Sequence, residues 1–391
     1  MSVWGPLADR YEGKESQPHK LLALDGGGIR GIIPLKVLVR MERLLKEALG
    51  ADDSFRLCQF FDYIAGTSTG AIIAAGLSLG MTAQELLDFY IEVGPQMFEP
   101  RFVLERVNSL YKADPLRIKL EDIFGANTTL APEHLKCLML AVTRNHTTDS
   151  PWPISSNPLA KYNDINRPDC NLQIPIWNIV RASTAAPVFF PPEKIVWDPT
   201  DDSRAFLFVD GGMTPYNNPA FVLYRMATEP AYNLNWVAGE DTLLLISIGT
   251  GLTPSTDSNV RTIDRNIIQT LPSVISALMN GSAIEQDICC RQVGRCIYGD
   301  AIDRELGDMI PRDEEEQLVP LTQDLGKKFL YARYNIDISQ AGLDEAGMPN
   351  IKAKSVAKLD SVAAIPQLEI IGDAVARQVE LKHFGSFVPQ T

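Results

Sequence analysis

The stretch LLALDGGGIRG, residues 21–31, decides how this chain is read. Four apolar residues lead into Asp25, and three glycines follow before Ile29, Arg30 and Gly31. A short apolar run that stops at glycines reads as a buried strand ending in a tight turn. Gly26, Gly28 and Gly31 also satisfy the G-x-G-x-x-G pattern of dinucleotide-binding loops, and Glu47 stands near the distance of the ribose-binding acid in such folds. Two readings are open here: a loop that cradles phosphates, or a loop that offers backbone N–H groups to another anion. The first would set a diphosphate beside Asp25, an unfavourable like-charge contact.

Outward from this loop, strand and helix patterns alternate. PLKVLVRMERLLKEALG (34–50) has apolar residues at helical spacing, with Pro34 in its first turn and Gly50 as a C-terminal stop. FFDYIAG (60–66) is a second short strand, and STGAIIAAGLSLG (68–80) a helix of small residues suited to close packing. TAQELLDFYIEVG (82–94) is a third helix, opened by a capping box of Thr82 and Glu85. LKCLMLAVT (135–143), AFLFVDGG (205–212) and DTLLLISIGTG (241–251) read as strands, with the helical IWNIVRASTAA (176–186) among them. This alternation predicts an α/β fold with a largely parallel, buried sheet covered on both faces. Residues 145–172, rich in Pro, Asn and Asp, read as one long surface loop, and 252–262 as another.

The chain has 391 residues, 45% hydrophobic and 22% charged, which suits a soluble protein with a real core. Its formal charge of -13 argues against a nucleic-acid partner and against strong adsorption to anionic lipid. The first twenty residues lack an apolar core of the signal-peptide kind. The longest apolar run, residues 71–81, falls short of the roughly 20 residues that span a bilayer. The expectation is a cytoplasmic protein without transmembrane anchoring. Of six cysteines, Cys289, Cys290 and Cys296 lie close together, but no CxxC pair or nearby histidine completes a zinc site, so no metal is expected.

Two further stretches carry chemistry. GTSTG, residues 66–70, is Gly-x-Ser-x-Gly between an apolar strand and an apolar helix, the context that holds a serine hydroxyl exposed at a sharp turn. The following helix N-terminus favours developing negative charge there. Ser68 is thus the candidate nucleophile, and it needs a base. The four histidines, His19, His134, His146 and His383, sit at no recognisable strand end beside glycine. FVDGG places Asp210 at the end of an apolar strand, before Gly211 and Gly212, where an aspartate could take the Ser68 proton directly. Its ordinary pKa of about 3.9 is low for a base, so burial would have to raise it. Attack on a carbonyl builds an oxyanion, for which the amides of Gly26, Gly27 and Gly28 are candidate donors. Arg30 has two open roles, support for a lipid phosphate or oxyanion and a salt bridge at a helix start.

DGGGIRG, GTSTG and DGG, in this order, resemble the patatin-like phospholipase family, and RASTAAPVFFPP (181–192) is similar to its Ala-Ser-x-Ala-Ala-Pro block. NNP (217–219) and SIGTG (247–251) agree, and the resemblance runs from about residue 20 to 251, extending less diagnostically to 290–310. It implies a three-layer α/β/α sandwich, with residues 18–256 as the catalytic core and 257–391 as a mostly helical extension packed on the same domain. It implies a Ser68–Asp210 dyad without histidine, and an oxyanion hole of Gly26, Gly27 and Gly28 joined by the amide of Thr69. Gly31, Gly66, Gly70, Gly211 and Gly212 are the remaining motif glycines. The implied reaction is hydrolysis of membrane-lipid esters through an acyl-enzyme, with no cofactor, no metal and transient contact at the membrane surface. Some bacterial members are effectors switched on by a nucleotide second messenger, so a nucleotide activator stays open, as does homo-oligomerisation. Phe102, Phe189, Phe190 and Trp197 are candidates for an acyl pocket or for ordinary core packing. Three rival readings are a nucleotide-binding module using the glycine loop, a weakly active storage or interaction protein of the same fold, and a Ser–His–Asp esterase.

Overall fold

A computed structural model describes residues 2–97, 113–187, 189–198, 201–253 and 267–389. Phe102 lies outside these residues, as does most of the loop read over 252–262. The strands are β1 (His19–Leu24), β2 (Tyr63–Thr67), β3 (Leu138–Asn145), β4 (Ser150–Ser155), β5 (Glu193–Val196), β6 (Ala205–Asp210), β7 (Leu243–Ile248), β8 (Arg295–Tyr298) and β9 (Leu330–Tyr334). They form one sheet. Its centre is parallel: β3, β2, β1, β7, β9 and β8 lie side by side. The β1 residues from Leu21 to Leu24 are wholly buried, as befits a central strand covered on both faces.

Side-chain alternation along the strands builds the layers. Leu22, Leu24, Ile64 and Ile246 point to one face, Leu21, Ala23, Tyr63 and Leu245 to the other. The first face is covered by α1 (Ile32–Ala48), α2 (Thr69–Leu79), α3 (Ala83–Met97), α4 (Ala113–Phe124), α5 (Ile176–Ser183) and α8 (Ile365–Ala376). The second is covered by α6 (Ala220–Thr228), the C-terminal part of α7 (Ile267–Val293), and Trp4, Tyr11 and Trp236. Each fully buried Leu or Ile contributes roughly 1.5–3 kcal/mol. The result is the expected α/β/α sandwich. The capping box at the start of α3 forms as read: Thr82 Oγ1 accepts the Glu85 amide at 3.0 Å, and Glu85 Oε2 accepts the Thr82 amide at 2.8 Å.

Three readings change. Residues 145–172 are not a bare loop: β4 turns back along β3 as an antiparallel strand. Pro151 and Pro153 masked it in the sequence, and prolines are tolerated in an edge strand because fewer amides there must donate. The segment read as a mostly helical extension also adds β8 and β9 to the sheet. Finally, β6 is antiparallel to its neighbour. Leu140–Val142 of β3 pair with both β2 and β4, and Thr143–Asn145 with both β6 and β4. So β2 and β6 share one edge of β3 and meet end to end from opposite directions. Thr67 faces Val142 and Asp210 faces Thr143, the next residue along.

Candidate active site

Ser68 sits at that junction. The chain turns sharply out of β2 into α2, and Ser68 takes φ 53° and ψ -120°, a conformation uncommon for a non-glycine residue. The turn is tight enough to exclude side chains on both sides. A methyl group added at Gly66 would lie 2.0 Å from the Gly70 carbonyl oxygen, and one at Gly70 would lie 2.2 Å from that of Leu24. The Ser68 amide donates to Ser183 Oγ at 2.9 Å, and Ser183 Oγ donates onward to the Val142 carbonyl at 2.6 Å. α5 thereby ties the turn to β3.

Ser68 Oγ donates to Asp210 Oδ2 at 2.6 Å, while Asp210 Oδ1 accepts the Gly212 amide at 2.6 Å. Asp210 is 4% exposed. Burial pushes its pKa up to about 6, against the hydrogen bonds from Ser68 and Gly212 and the nearby charge of Arg181. It is therefore ionised at neutral pH yet close enough to titration to hold a proton in passing. Gly211 packs against β3, where a methyl group would meet the Val142 carbonyl oxygen at 2.2 Å. The sequence reading brought Asp210 to the site as the end of a parallel strand. It arrives instead from an antiparallel strand whose overlap with β3 lasts only three residue pairs.

The glycine loop lies across β1's end. The amide of Gly26 is already committed to the Asn217 carbonyl at 3.1 Å, so it is not a free donor, contrary to the sequence reading. Among the described residues, the amides of Gly27, Gly28 and Thr69 make no internal hydrogen bond. Gly28 takes φ 60°, and a side chain there would strike the Leu359 carbonyl oxygen at 2.2 Å. Thr250 Oγ1 donates to the Gly26 carbonyl at 2.8 Å. Gly31 packs on Thr69, whose hydroxyl bonds the Tyr90 hydroxyl.

Arg30 is 2% exposed, and its Nη1 is buried without a partner. Its Nε reaches only the Gly27 carbonyl, at 3.5 Å. Burial lowers its pKa to about 10, with Asp25 opposing, so it stays cationic at neutral pH. Neither hydrogen bond nor ion pair joins Arg30 to Asp25, so the salt-bridge role is not realised. Asp25 is taken by Arg333 of β9, at 2.8 and 2.5 Å. Asp25 is thus neutralised within the fold, which reduces the like-charge contact expected for a phosphate at this loop.

An apolar pocket opens on Ser68, Thr69, Asp210 and Gly28, with walls that include Ile72, Tyr90, Leu116, Phe189, Phe190 and Met279. Phe189 and Phe190 thus belong to it. Trp197 packs instead with Trp152, Phe206 and Phe208. Each histidine is engaged elsewhere or far off: His19 stacks on Trp236, His134 accepts from Thr129, His383 meets Tyr334, and His146 is exposed beside Leu207. Among the described residues, no group of His, Cys, Asp and Glu is arranged to hold a metal, and no helix is long and apolar enough to cross a membrane. Ser183, Thr250 and Arg333 were not singled out from sequence. Ser183 and Thr250 lie inside the quoted RASTAAP and SIGTG stretches, a signal that could have found them.

Comparison with known proteins adds an independent finding. The model of the patatin-like phospholipase family matches residues 22–224, just over half of the chain. An intracellular phospholipase A2 of Caenorhabditis elegans is 31% identical over 274 residues, covering 68% of this chain and 22% of that protein. Patatin-17 of Solanum cardiophyllum is 31% identical over 252 residues, 61% of each chain. The cGAMP-activated phospholipase of Vibrio cholerae is 31% identical over 228 residues, 56% of this chain and 59% of that one. The chain spans less than two thirds of the length of each.

Proposed function

This chain belongs to the patatin-like phospholipase family, and from that premise we propose that it hydrolyses ester bonds of membrane lipids, releasing fatty acid and a lysolipid. The observation that carries the reading is the 2.6 Å bond from Ser68 Oγ to Asp210 Oδ2 at the floor of an apolar pocket, with every histidine elsewhere. Ser68 Oγ attacks the ester carbonyl as its proton passes to Asp210. The carbonyl oxygen becomes an oxyanion, held by the amides of Gly27, Gly28 and Thr69 at the start of α2. The C–O bond then breaks, and Asp210 returns the proton to the departing alcohol. A water molecule next attacks the acyl-enzyme, giving its proton to Asp210. Collapse frees the fatty acid and restores Ser68, so Asp210 serves as base and acid in turn.

The apolar walls, Phe189 and Phe190 among them, suit an acyl chain. The charge of -13 favours zwitterionic or neutral lipid surfaces over anionic ones, met by transient peripheral contact from the cytoplasm. On this reading residues 257–391 act with residues 18–256 as one catalytic unit, because β9 supplies the partner of Asp25.

The test is to incubate wild type and Ser68→Ala with mixed-lipid vesicles and quantify free fatty acid by mass spectrometry. Release by wild type alone is the expected result. Equal release by both proteins would sink the reading. A parallel arm with cyclic dinucleotides reads out the kind of activator named for the Vibrio cholerae relative.

A further inference from the structure

Asp25 and Arg333 are separated by most of the chain, yet they form a buried, bidentate pair. Their side chains are 4% and 3% exposed. Arg333 Nη1 donates to Asp25 Oδ1 at 2.8 Å and to Ser247 Oγ at 2.7 Å, while Nη2 donates to Asp25 Oδ2 at 2.5 Å. Asp25 is the residue from which the glycine loop departs, and its amide is pinned to the Ile248 carbonyl of β7 at 3.0 Å. The pair therefore clamps the loop's root to β7 and β9 together.

A second observation concerns the other arginine. Arg30 is close enough to Asp25 for their charges to interact, but the two make no hydrogen bond. Both oxygens of Asp25 are already occupied by Arg333, while a buried Nη1 of Arg30 goes without a partner. Leaving a buried guanidinium nitrogen unmatched is costly, and a free carboxylate nearby would relieve it. By pairing with Asp25 and neutralising it, Arg333 weakens the pull that would draw Arg30 onto that carboxylate.

We propose that Arg333 is a positioning residue: by occupying both oxygens of Asp25 it anchors the glycine loop and keeps Arg30 unpaired beside the loop's free amides. This rests on the Ser68 reading above. Without Arg333, Asp25 captures Arg30, the loop amides shift, and the cationic charge beside the glycine loop is spent on a ground-state pair. The harm then comes from the Asp25 carboxylate, so neutralising that carboxylate undoes part of it. A merely structural pair would show that rescue in the melting temperature, where the uncompensated Asp25 anion is felt, and not in kcat measured well below the melt.

The experiment measures kcat and KM on a soluble short-chain ester, with thermal melts, for wild type, Ser68→Ala, Arg333→Met and the double variant Asp25→Asn/Arg333→Met. Arg333→Met is expected to lower kcat about 100-fold with KM little changed, the scale of a misplaced catalytic group. The double variant is expected to recover at least about tenfold of that loss, the size of coupling found between contacting residues. Where Arg333→Met does not fold, Arg333→Lys and Asp25→Asn/Arg333→Lys give the same comparison with a cation retained. A first variant with wild-type kcat, or a double variant no faster than its parent, overturns the proposal. Wild type no faster than Ser68→Ala would instead overturn the Ser68 reading itself.

Discussion

The two members of the candidate dyad reach the same point by opposite routes. Ser68 is placed locally: β2, the turn and α2 are consecutive, and the glycines on either side leave the backbone one path. Asp210 is placed from far away in the chain. It ends an antiparallel strand that abuts β2 along β3, where it faces Thr143 and accepts from Ser68, 142 positions away in the chain. The posture of Ser68 is thus set mostly within a pentapeptide and steadied by one bond to Ser183, whereas that of Asp210 is a property of the whole sheet. Changes to the first arm should act on chemistry alone. Changes to the second should couple chemistry to stability and pH.

Ser68→Ala tests the local arm and carries the largest effect. Ester hydrolysis should fall by about 10⁴-fold or more, as when other serine nucleophiles are removed, with an unchanged circular-dichroism spectrum and melting curve. Loss of the fold in this variant would break the claim that the turn is set by its glycines.

Asp210→Asn should cost about 10³-fold in rate, within the range for general-base removal. It should also melt at a higher temperature than wild type at pH 7.5. The wild-type carboxyl titrates near 6 when folded and near 3.8 when unfolded, so its ionised, buried form costs stability above pH 6. That cost disappears as the pH falls from 6 toward 3.8, and the advantage of the variant should shrink with it. A variant less stable than wild type at every pH would show that hydrogen bonding at Asp210 outweighs its desolvation.

The same titration sets the pH profile of the wild type. Below about pH 6, kcat/KM should drop about tenfold per unit, because protonated Asp210 cannot take up the Ser68 proton. A profile flat down to pH 5 would argue that another group is the base.

Ser183→Ala is the smallest and most informative change. It orphans the buried Ser68 amide, at a cost of roughly 1–3 kcal/mol, and loosens the turn's tie to β3. The rate should fall by about tenfold, with the pH profile unmoved. An unchanged rate would mean that the glycines alone hold the turn.

The same contrast explains what could be read from the residues. Strand–glycine and strand–turn–helix patterns are local, so DGGGIRG and GTSTG are legible in the residues themselves. DGG was legible as a site element, but its strand direction was not, because antiparallel pairing with β3 leaves no mark on AFLFVD. β4 was hidden by its prolines. The pairing of Asp25 with Arg333 was hidden by distance in the chain, and the commitment of Gly26's amide to Asn217 by the same distance. No spacing rule reaches across such gaps; only the assembled fold brings these residues together.

The place of β9 beside β7 has a practical consequence for anyone shortening this chain. A fragment trimmed to residues 20–251, the span of the sequence resemblance, would lose β9, and the outer edge of β7 would present a row of unsatisfied backbone donors and acceptors. Such an edge is a template for aggregation between copies, and Asp25 would be left as an uncompensated anion behind it. Shortened versions meant for crystallisation or inhibitor screening should therefore keep β9 and also α8, through Ala376, which covers the sheet's first face. Poor solubility in a shorter piece would say little about the full chain.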